Sequence, residues 1–472
     1  MKEKICQALD EISDTHIAEA ARSPARRKFN PWLGAMAAMI ALAVLIFAVG
    51  SPLTMQVNAI SLAEYPTPTQ RPDLDDYSDR DAWLADLDAW SAARDAANTV
   101  VNDAKGQLSD FFSRAPVEFL SGSGEENRVC SPLNLYMGLA ALAEVTGGES
   151  RQQILDTLGI RDTEALRDTT ATIWEKVYYD DGKTHLLLAN SLWLDEGIRY
   201  DQQVLDILSE SYYASVYQGD LGSADANRAL RKWLNDQTGG LLKEAADAAS
   251  FAPDTVLALA STVNMQAKWT EKFARKNNTD GLFHAPGGDV ECTFMNKQEY
   301  QTYYYWGESY GAVSLGLAGS NRMWFILPDE GKSVDDVLQE PQLLNAFLGE
   351  KTENKKYVKV NLSLPIFDIQ SSMDLREGLE NMGILNIFDG NFSDFTTALP
   401  EETWVYISSI DQATRLSIDE DGLTAASYIV IPGATAAEPP EEIIDFVLDR
   451  PFLFVVTGAN DLPLFTGVIN QP

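Results

Sequence analysis

The stretch Ile418-Asp419-Glu420-Asp421-Gly422-Leu423-Thr424-Ala425-Ala426-Ser427-Tyr428-Ile429-Val430-Ile431-Pro432-Gly433-Ala434-Thr435-Ala436-Ala437 departs from the pattern of the rest of the chain. Three acids end at a glycine. From Leu423 to Ala437 no charge occurs, although 22% of the 472 residues are charged. Read as a strand, Leu423, Ala425, Ser427, Ile429 and Ile431 share one face, and Thr424, Ala426, Tyr428 and Val430 share the other, because side chains alternate along an extended backbone. Small and β-branched residues suit a buried strand. Yet Pro432-Gly433 closes the run, and Glu438-Pro439-Pro440-Glu441-Glu442 follows before apolar residues resume at Phe446–Val456. Two readings fit: an edge strand with a loop behind it, or a segment exposed in one state and inserted as a strand in another.

Outward from this stretch, residues from about 95 to the end mix helical and strand patterns. Apolar spacing predicts helices over Asn134–Val145, Ser150–Leu158 and Ala224–Gln237, the last stopped by Thr238-Gly239-Gly240. Strand-like runs are Met323–Leu327, Val358–Leu364, Val405–Ile418 and Phe452–Val456. Helices come mainly first and strands dominate later, which argues for an α+β fold with mixed sheets.

Toward the N-terminus, Trp32–Gly50 is uncharged and is about the length that spans a ~30 Å bilayer core. Arg22, Arg26, Arg27 and Lys28 precede it, and the next basic residue after Gly50 is Arg71. The positive-inside rule then predicts a cytoplasmic tail (1–30), a transmembrane helix (31–50) and export of the remainder to the outer face of a cell membrane. The competing reading is a secretory signal cleaved near Val57-Asn58-Ala59. Against it, the basic region is long and the apolar stretch exceeds the roughly 7–15 residues of a signal core. Pro52, Pro66, Pro68 and Pro72 mark residues 51–94 as an extracellular spacer with a helical lead-in, where Trp83, Leu87, Trp90, Ala93 and Ala97 recur at helical steps. One or two helices are expected there. The short anchored architecture suggests a bacterium.

Composition narrows the function classes. Hydrophobic residues make up 45% and aromatics 10%, enough for a large core. Acids outnumber bases 70 to 36, a net charge of −34, which repels phosphate backbones and removes nucleic acid as a partner. Cys6, Cys130 and Cys292 have no metal or disulfide-framework spacing; Cys6 faces the reducing side, and the other two read as buried free thiols. The three histidines, His16, His185 and His284, lie near no nucleophile elbow, and the chain has no P-loop, GxGxxG, HExxH or CxxC. Nothing here points to a catalytic residue, a metal or a cofactor.

The segment Ile418–Ala426, followed by Phe446-Val447-Leu448-Asp449-Arg450-Pro451-Phe452-Leu453-Phe454, resembles the two signatures that flank the reactive-centre loop of serpins. Ser131-Pro132-Leu133 is similar to the start of that family's helix B, Asn235–Leu241 (NDQTGGL) to the end of its helix F, and Lys268-Trp269 to the strand carrying its breach tryptophan. Phe325–Gly331 and Leu364–Phe367 fit the same order. The resemblance covers residues 95–472. It implies the serpin fold: a large central β-sheet, further β-sheets, about eight or nine helices and an exposed reactive-centre loop. It also implies a monomer that acts as an inhibitor, not an enzyme. A target serine protease cuts the loop as a substrate, and the cut loop then enters the central sheet; serpin loop insertion is a standard case of strand addition that releases stored strain.

By the family's spacing, Glu420, Gly422, Leu423, Thr424, Ala425 and Ala426 form the hinge, Ser131, Asn134, Gln412 and Trp269 the shutter and breach, and Ala436–Ala437 the scissile bond. Alanine at the cut suits the shallow pocket of an elastase- or subtilisin-like protease and adds nothing in a trypsin-like pocket. There are departures. Leu423 stands where a small hydroxyl residue is usual, Pro432 is disfavoured in a central strand, and Gly422–Pro451 is a few residues longer than the family's stretch. Gln412 replaces a histidine and Asn134 a serine; an Asn–Gln pair would supply similar hydrogen bonds. Leu423 and Pro432 support the alternative of a non-inhibitory serpin-fold surface or binding protein.

Overall fold

The computed structural model describes residues 57–65, 72, 74, 77–180, 184–340, 343, 354–400, 404–423, 440–458 and 461–472, with backbone alone at 93–107, 179, 180 and 320. Two compact units divide after Thr54, and the first lies wholly outside the described residues. The expected transmembrane helix therefore also lies outside them. Among the described residues no helix is long and apolar enough to cross a membrane.

Helix α1 (Arg80–Leu120) begins at Asp79, whose carboxylate accepts from the Asp81 amide. It buries Leu108, Phe111, Phe112, Ala115 and Phe119, the three- and four-residue steps of a core-facing stripe. The lead-in is thus one helix that runs straight into the globular part. Helix α2 (Pro132–Val145) is capped by the Ser131 hydroxyl, which accepts from the Asn134 amide, with Pro132 at its first turn. It is apolar on nearly every side and is buried accordingly; each fully covered leucine, such as Leu133 or Leu139, contributes about 1.5–3 kcal/mol. The remaining helices are α3 (Gly148–Leu158), α4 (Thr163–Val177), α5 (Gln202–Ser211), α6 (Ala224–Gln237), α7 (Lys243–Ala248), α8 (Val334–Leu338) and α9 (Arg376–Met382), making nine among the described residues.

Two mixed sheets complete the α+β fold. The main sheet runs β1 (Asn58–Ser61), β5 (Ala214–Gly219), β4 (His185–Asp195), β6 (Leu257–Lys268), β14 (Gly422–Leu423), β13 (Asp411–Ile418), β12 (Phe367–Asp374), with β3 (Tyr179–Asp180) beside β4. The second runs β15 (Ile443–Val447), β11 (Lys355–Pro365), β8 (Gly288–Trp306), β9 (Tyr310–Leu317), β10 (Asn321–Pro328), β16 (Phe452–Thr457), β17 (Pro463–Ile469), β2 (Arg128–Cys130), with β7 (Thr279–Ala285) beside β8. Helix α2 touches β6 of one sheet and β17 of the other. Phe367 of the main sheet meets Phe452 and Phe454 of the second, ring centres 6.2 Å apart.

Three details refine the sequence expectations. The strand expected from Val405 pairs only from Asp411, because its neighbour β12 ends at Asp374, opposite Asp411. Within the spacer, β1 adds an edge to the main sheet, the Ala63 amide donates to Ser215 Oγ (3.1 Å), and Tyr65 stacks with Trp174 and Tyr178. Both described cysteines are free, but only Cys130 is fully buried, which pushes its thiol up to about 12; Cys292 is half-buried.

A carboxylate lies deep in this core. Glu144 on α2 accepts from Arg167 Nε (2.7 Å) and Nη2 (2.8 Å) on α4 and from the Tyr212 hydroxyl (2.8 Å). Glu144 is 3% exposed at its side chain and Arg167 33%, so the two partners are not equivalent. Glu144→Ala should lower the unfolding free energy by about 2–3 kcal/mol, less than a fully buried pair, because Arg167 can turn to water. Arg167→Ala should cost more, since it strands the buried carboxylate. Urea unfolding midpoints of the two variants test that order.

Candidate functional site

Strands β6 and β13 do not pair with one another; β14 lies between them and is two residues long. Gly422 pairs with Lys268, and Leu423 pairs with both Ala267 and Ile418. Below that point the two strands line a cavity of about 1080 Å³, with Ser131 and Asn134 at its floor and Leu230, Leu234 and Leu241 over it. Leu423, which the resemblance places in the hinge, is 2% exposed. A large apolar residue is therefore accommodated at the position where a small one is usual.

The turn into β14 is built by its acids. Asp419 Oδ1 accepts from the amides of Asp421 (2.9 Å) and Gly422 (3.2 Å), closing an Asx turn. The turn is then pinned to the segment after β6. Trp269 Nε1 donates to the Asp419 carbonyl at 2.8 Å and the Phe273 amide to the Glu420 carbonyl at 3.0 Å. The Glu420 carboxylate accepts from Asn278 Nδ2 (2.7 Å) and lies 3.6 Å from Arg275. Lys272 and Arg275 flank Asp421 at 3.8 and 3.6 Å. Trp269 is buried against Phe273 and Phe325.

The shutter residues come together differently from the expectation. Asn134 and Gln412 do not pair with each other. Gln412 on β13 binds Ser131 twice, accepting from its amide (2.8 Å) and donating to its carbonyl (3.1 Å). Asn134 instead holds β6, accepting from the Ser261 hydroxyl and donating to the Ser261 carbonyl at 3.3 Å. Ser131 Oγ donates to the Leu464 carbonyl at 2.6 Å. The start of α2 thus grips both strands that border the cavity. Ser261 carried no local signal in the sequence; it is brought in by a strand 127 residues away from Asn134.

Of the expected site residues, Ser131, Asn134, Gln412 and Leu423 line the cavity, and Trp269, Glu420 and Gly422 lie at the turn into β14. Thr424, Ala425, Ala426, Ala436 and Ala437 lie outside the described residues. Also unforeseen was Arg415 on β13, whose guanidinium meets both oxygens of Asp368 on β12 and holds that carboxyl below the ordinary carboxylate range. His284 meets Asp289 at 2.8 Å in the β7–β8 hairpin. Among the described residues no cluster of His, Cys, Asp and Glu is arranged to hold a metal ion.

Comparison with known proteins matches this geometry. The family profile described as Serpin (serine protease inhibitor) fits residues 107–472. Serpin-ZX of Arabidopsis thaliana is 26% identical over 370 residues, spanning 74% of this chain and 93% of its own. Plasminogen activator inhibitor 1 of Sus scrofa is 25% identical over 376 residues, 77% and 91% of the two chains. Among solved structures, the thermophilic serpin tengpin in its native state superposes with a TM-score of 0.71 at 22% identity, covering 88% of this chain and 100% of that one. Arabidopsis AtSerpin1 in its native stressed conformation gives 0.66 at 24% identity, covering 80% and 98%.

Gly422 has φ +145°, and a Cβ there would lie 2.5 Å from both the Ala267 carbonyl oxygen and Lys268 Cα. Gly422→Ala should therefore unseat β14. The expected result is faster amide exchange at Trp269 and Phe273 and a red shift of tryptophan emission, while unchanged exchange at both amides would show that the turn holds β14 without the glycine.

Proposed function

We propose that this chain, which belongs to the serpin family, is an exported, membrane-anchored bacterial inhibitor that traps serine proteases as a suicide substrate. The observation that carries this is that, among the described residues, the ladder ends at Leu423 while β6 and β13 line a cavity below it. Extending the register residue by residue puts Ala425 opposite Met265 and Leu416, Ser427 opposite Val263 and Thr414, Ile429 opposite Ser261 and Gln412, and Ile431 opposite Leu259 and Ile410. These are the uncharged positions that share a face with Leu423, which fits burial of that face onto α2. Pro432 falls opposite Ala258 and Ser409, beside the first residue of β6, so its missing amide costs little where the ladder ends.

In this mechanism the target's serine oxygen attacks the Ala436 carbonyl carbon. The bond to Ala437 breaks, the proton passes to the Ala437 amine, and an ester links protease to loop. Insertion before the ester is hydrolysed carries the protease across the sheet and distorts its active site. Alanine at the cut supports an elastase- or subtilisin-like target, and the uncharged Trp32–Gly50 stretch behind its arginines supports anchoring. The alternative, a serpin fold kept for binding, rests on Leu423 and Pro432; the buried seat of Leu423 weakens it.

Mixing the full-length chain with an elastase-like protease should give a band at the summed mass that survives boiling in denaturant, with a released peptide beginning at Ala437. Ala436→Arg should move trapping toward a trypsin-like protease by at least tenfold in rate. Clean cutting of the loop without such a band, across elastase-, subtilisin- and trypsin-like proteases, would leave the fold and remove the inhibitor.

A further inference from the structure

Helix α6 lies across the main sheet from one side. Ala226, Ala229, Leu230 and Trp233 pack it on Ala189 and Trp193 of β4, with Ala258 and Ala260 of β6 alongside. After it, Gly239 and Gly240 take left-handed conformations, φ +59° and +77°, and turn the chain over the cavity. The Cβ position of Gly239 is 3.6 Å from Asn264 Nδ2 on β6, and two residues on the Leu241 carbonyl accepts from Arg415 Nη1 on β13 at 3.2 Å. The loop therefore spans the cavity on its outer face, from Asn264 to Arg415. Arg415 is itself anchored on Asp368, Nε to Oδ1 at 2.9 Å and Nη2 to Oδ2 at 2.6 Å, a two-pronged contact that fixes the plane of the guanidinium.

Asn264 and Arg415 also share one level of the sheet. Three steps down from the pairs Leu423–Ala267 and Leu423–Ile418, the ladder reaches Asn264 on one strand and Arg415 on the other. A strand growing between β6 and β13 meets the loop at that level, early in its path.

We infer that Arg415 is a positioning residue that sets the rate of strand insertion, by strapping the α6–α7 loop across the cavity until the entering strand displaces it. The inference rests on the insertion reading given above. Lysine cannot replace it fully, because a single ammonium cannot hold the Asp368 carboxylate with two prongs while reaching the Leu241 carbonyl.

The test uses a synthetic peptide with the sequence of residues 423–436, offered to the full-length chain, with uptake followed by native gel mobility and heat resistance. Arg415→Ala should take up the peptide about fivefold faster, the change expected when one solvent-exposed hydrogen bond is lost from the barrier. Its urea midpoint should stay close to that of the unaltered chain, and Arg415→Lys should fall between. Asp368→Asn, which loosens the anchor and keeps the arginine, should also speed uptake and serves if Arg415→Ala does not fold. Arg376→Ala breaks an exposed Arg376–Glu380 pair of the same chemistry on α9 and should not change the rate. Equal uptake by the unaltered chain and Arg415→Ala, equal acceleration by Arg376→Ala, or no uptake by any variant overturns the strap. A chain that takes up peptide faster without Arg415 yet traps no protease upholds the strap and removes the inhibitor reading instead.

Discussion

Two residues hold β6 and β13 together at one end of the main sheet, Gly422 against Lys268 and Leu423 against Ala267 and Ile418. Among the described residues this pairing ends at Leu423, and below it β6 and β13 line a cavity. Backbone groups along facing strand edges are strong hydrogen-bonding groups, and each net bond formed in a ladder adds on the order of 1 kcal/mol. A strand of matching register would pair along both edges at once. In the proposed insertion mechanism, the edges of β6 and β13 below Leu423 supply that driving force.

Holding such a sheet apart needs polar contacts that fix strand positions without pairing the strands. The start of α2 supplies them from inside, with Ser131 on Gln412 and Asn134 on Ser261. At the upper end the Asx turn of Asp419, clasped by Trp269, Phe273 and Asn278, stops β14 from peeling away. These bonds are buried or partly buried, so they are worth more than similar contacts in open water. The Arg415 contact on the outer face is exposed and so contributes less.

Much of this was legible in local sequence. Helix α6 ends where Thr238-Gly239-Gly240 stops it, and α2 begins at Ser131-Pro132 because a hydroxyl cap and a first-turn proline are local devices. The hinge stood out because an uncharged alternating run followed three acids and a glycine. The helical steps from Trp83 likewise foretold the lead-in, which is one helix. Not legible was that residues 404–410, with their strand-like alternation, pair with no strand, because β12 ends at Asp374. Alternation reports which face is covered; it does not report whether a neighbour is present.

By itself, the sequence determined the alternation from Leu423 to Ile431, the caps of its helices, the α+β order of elements and, through a set of motifs in sequence order, the family. Each depends on residues within a few positions of one another, where spacing alone sets the geometry. Only the tertiary structure decided that Asn134 binds Ser261 and not Gln412, that Leu423 is buried, and that Arg415 reaches Leu241. Those contacts join positions more than a hundred residues apart, and their partners follow from how strands and helices are laid side by side, which no local pattern encodes.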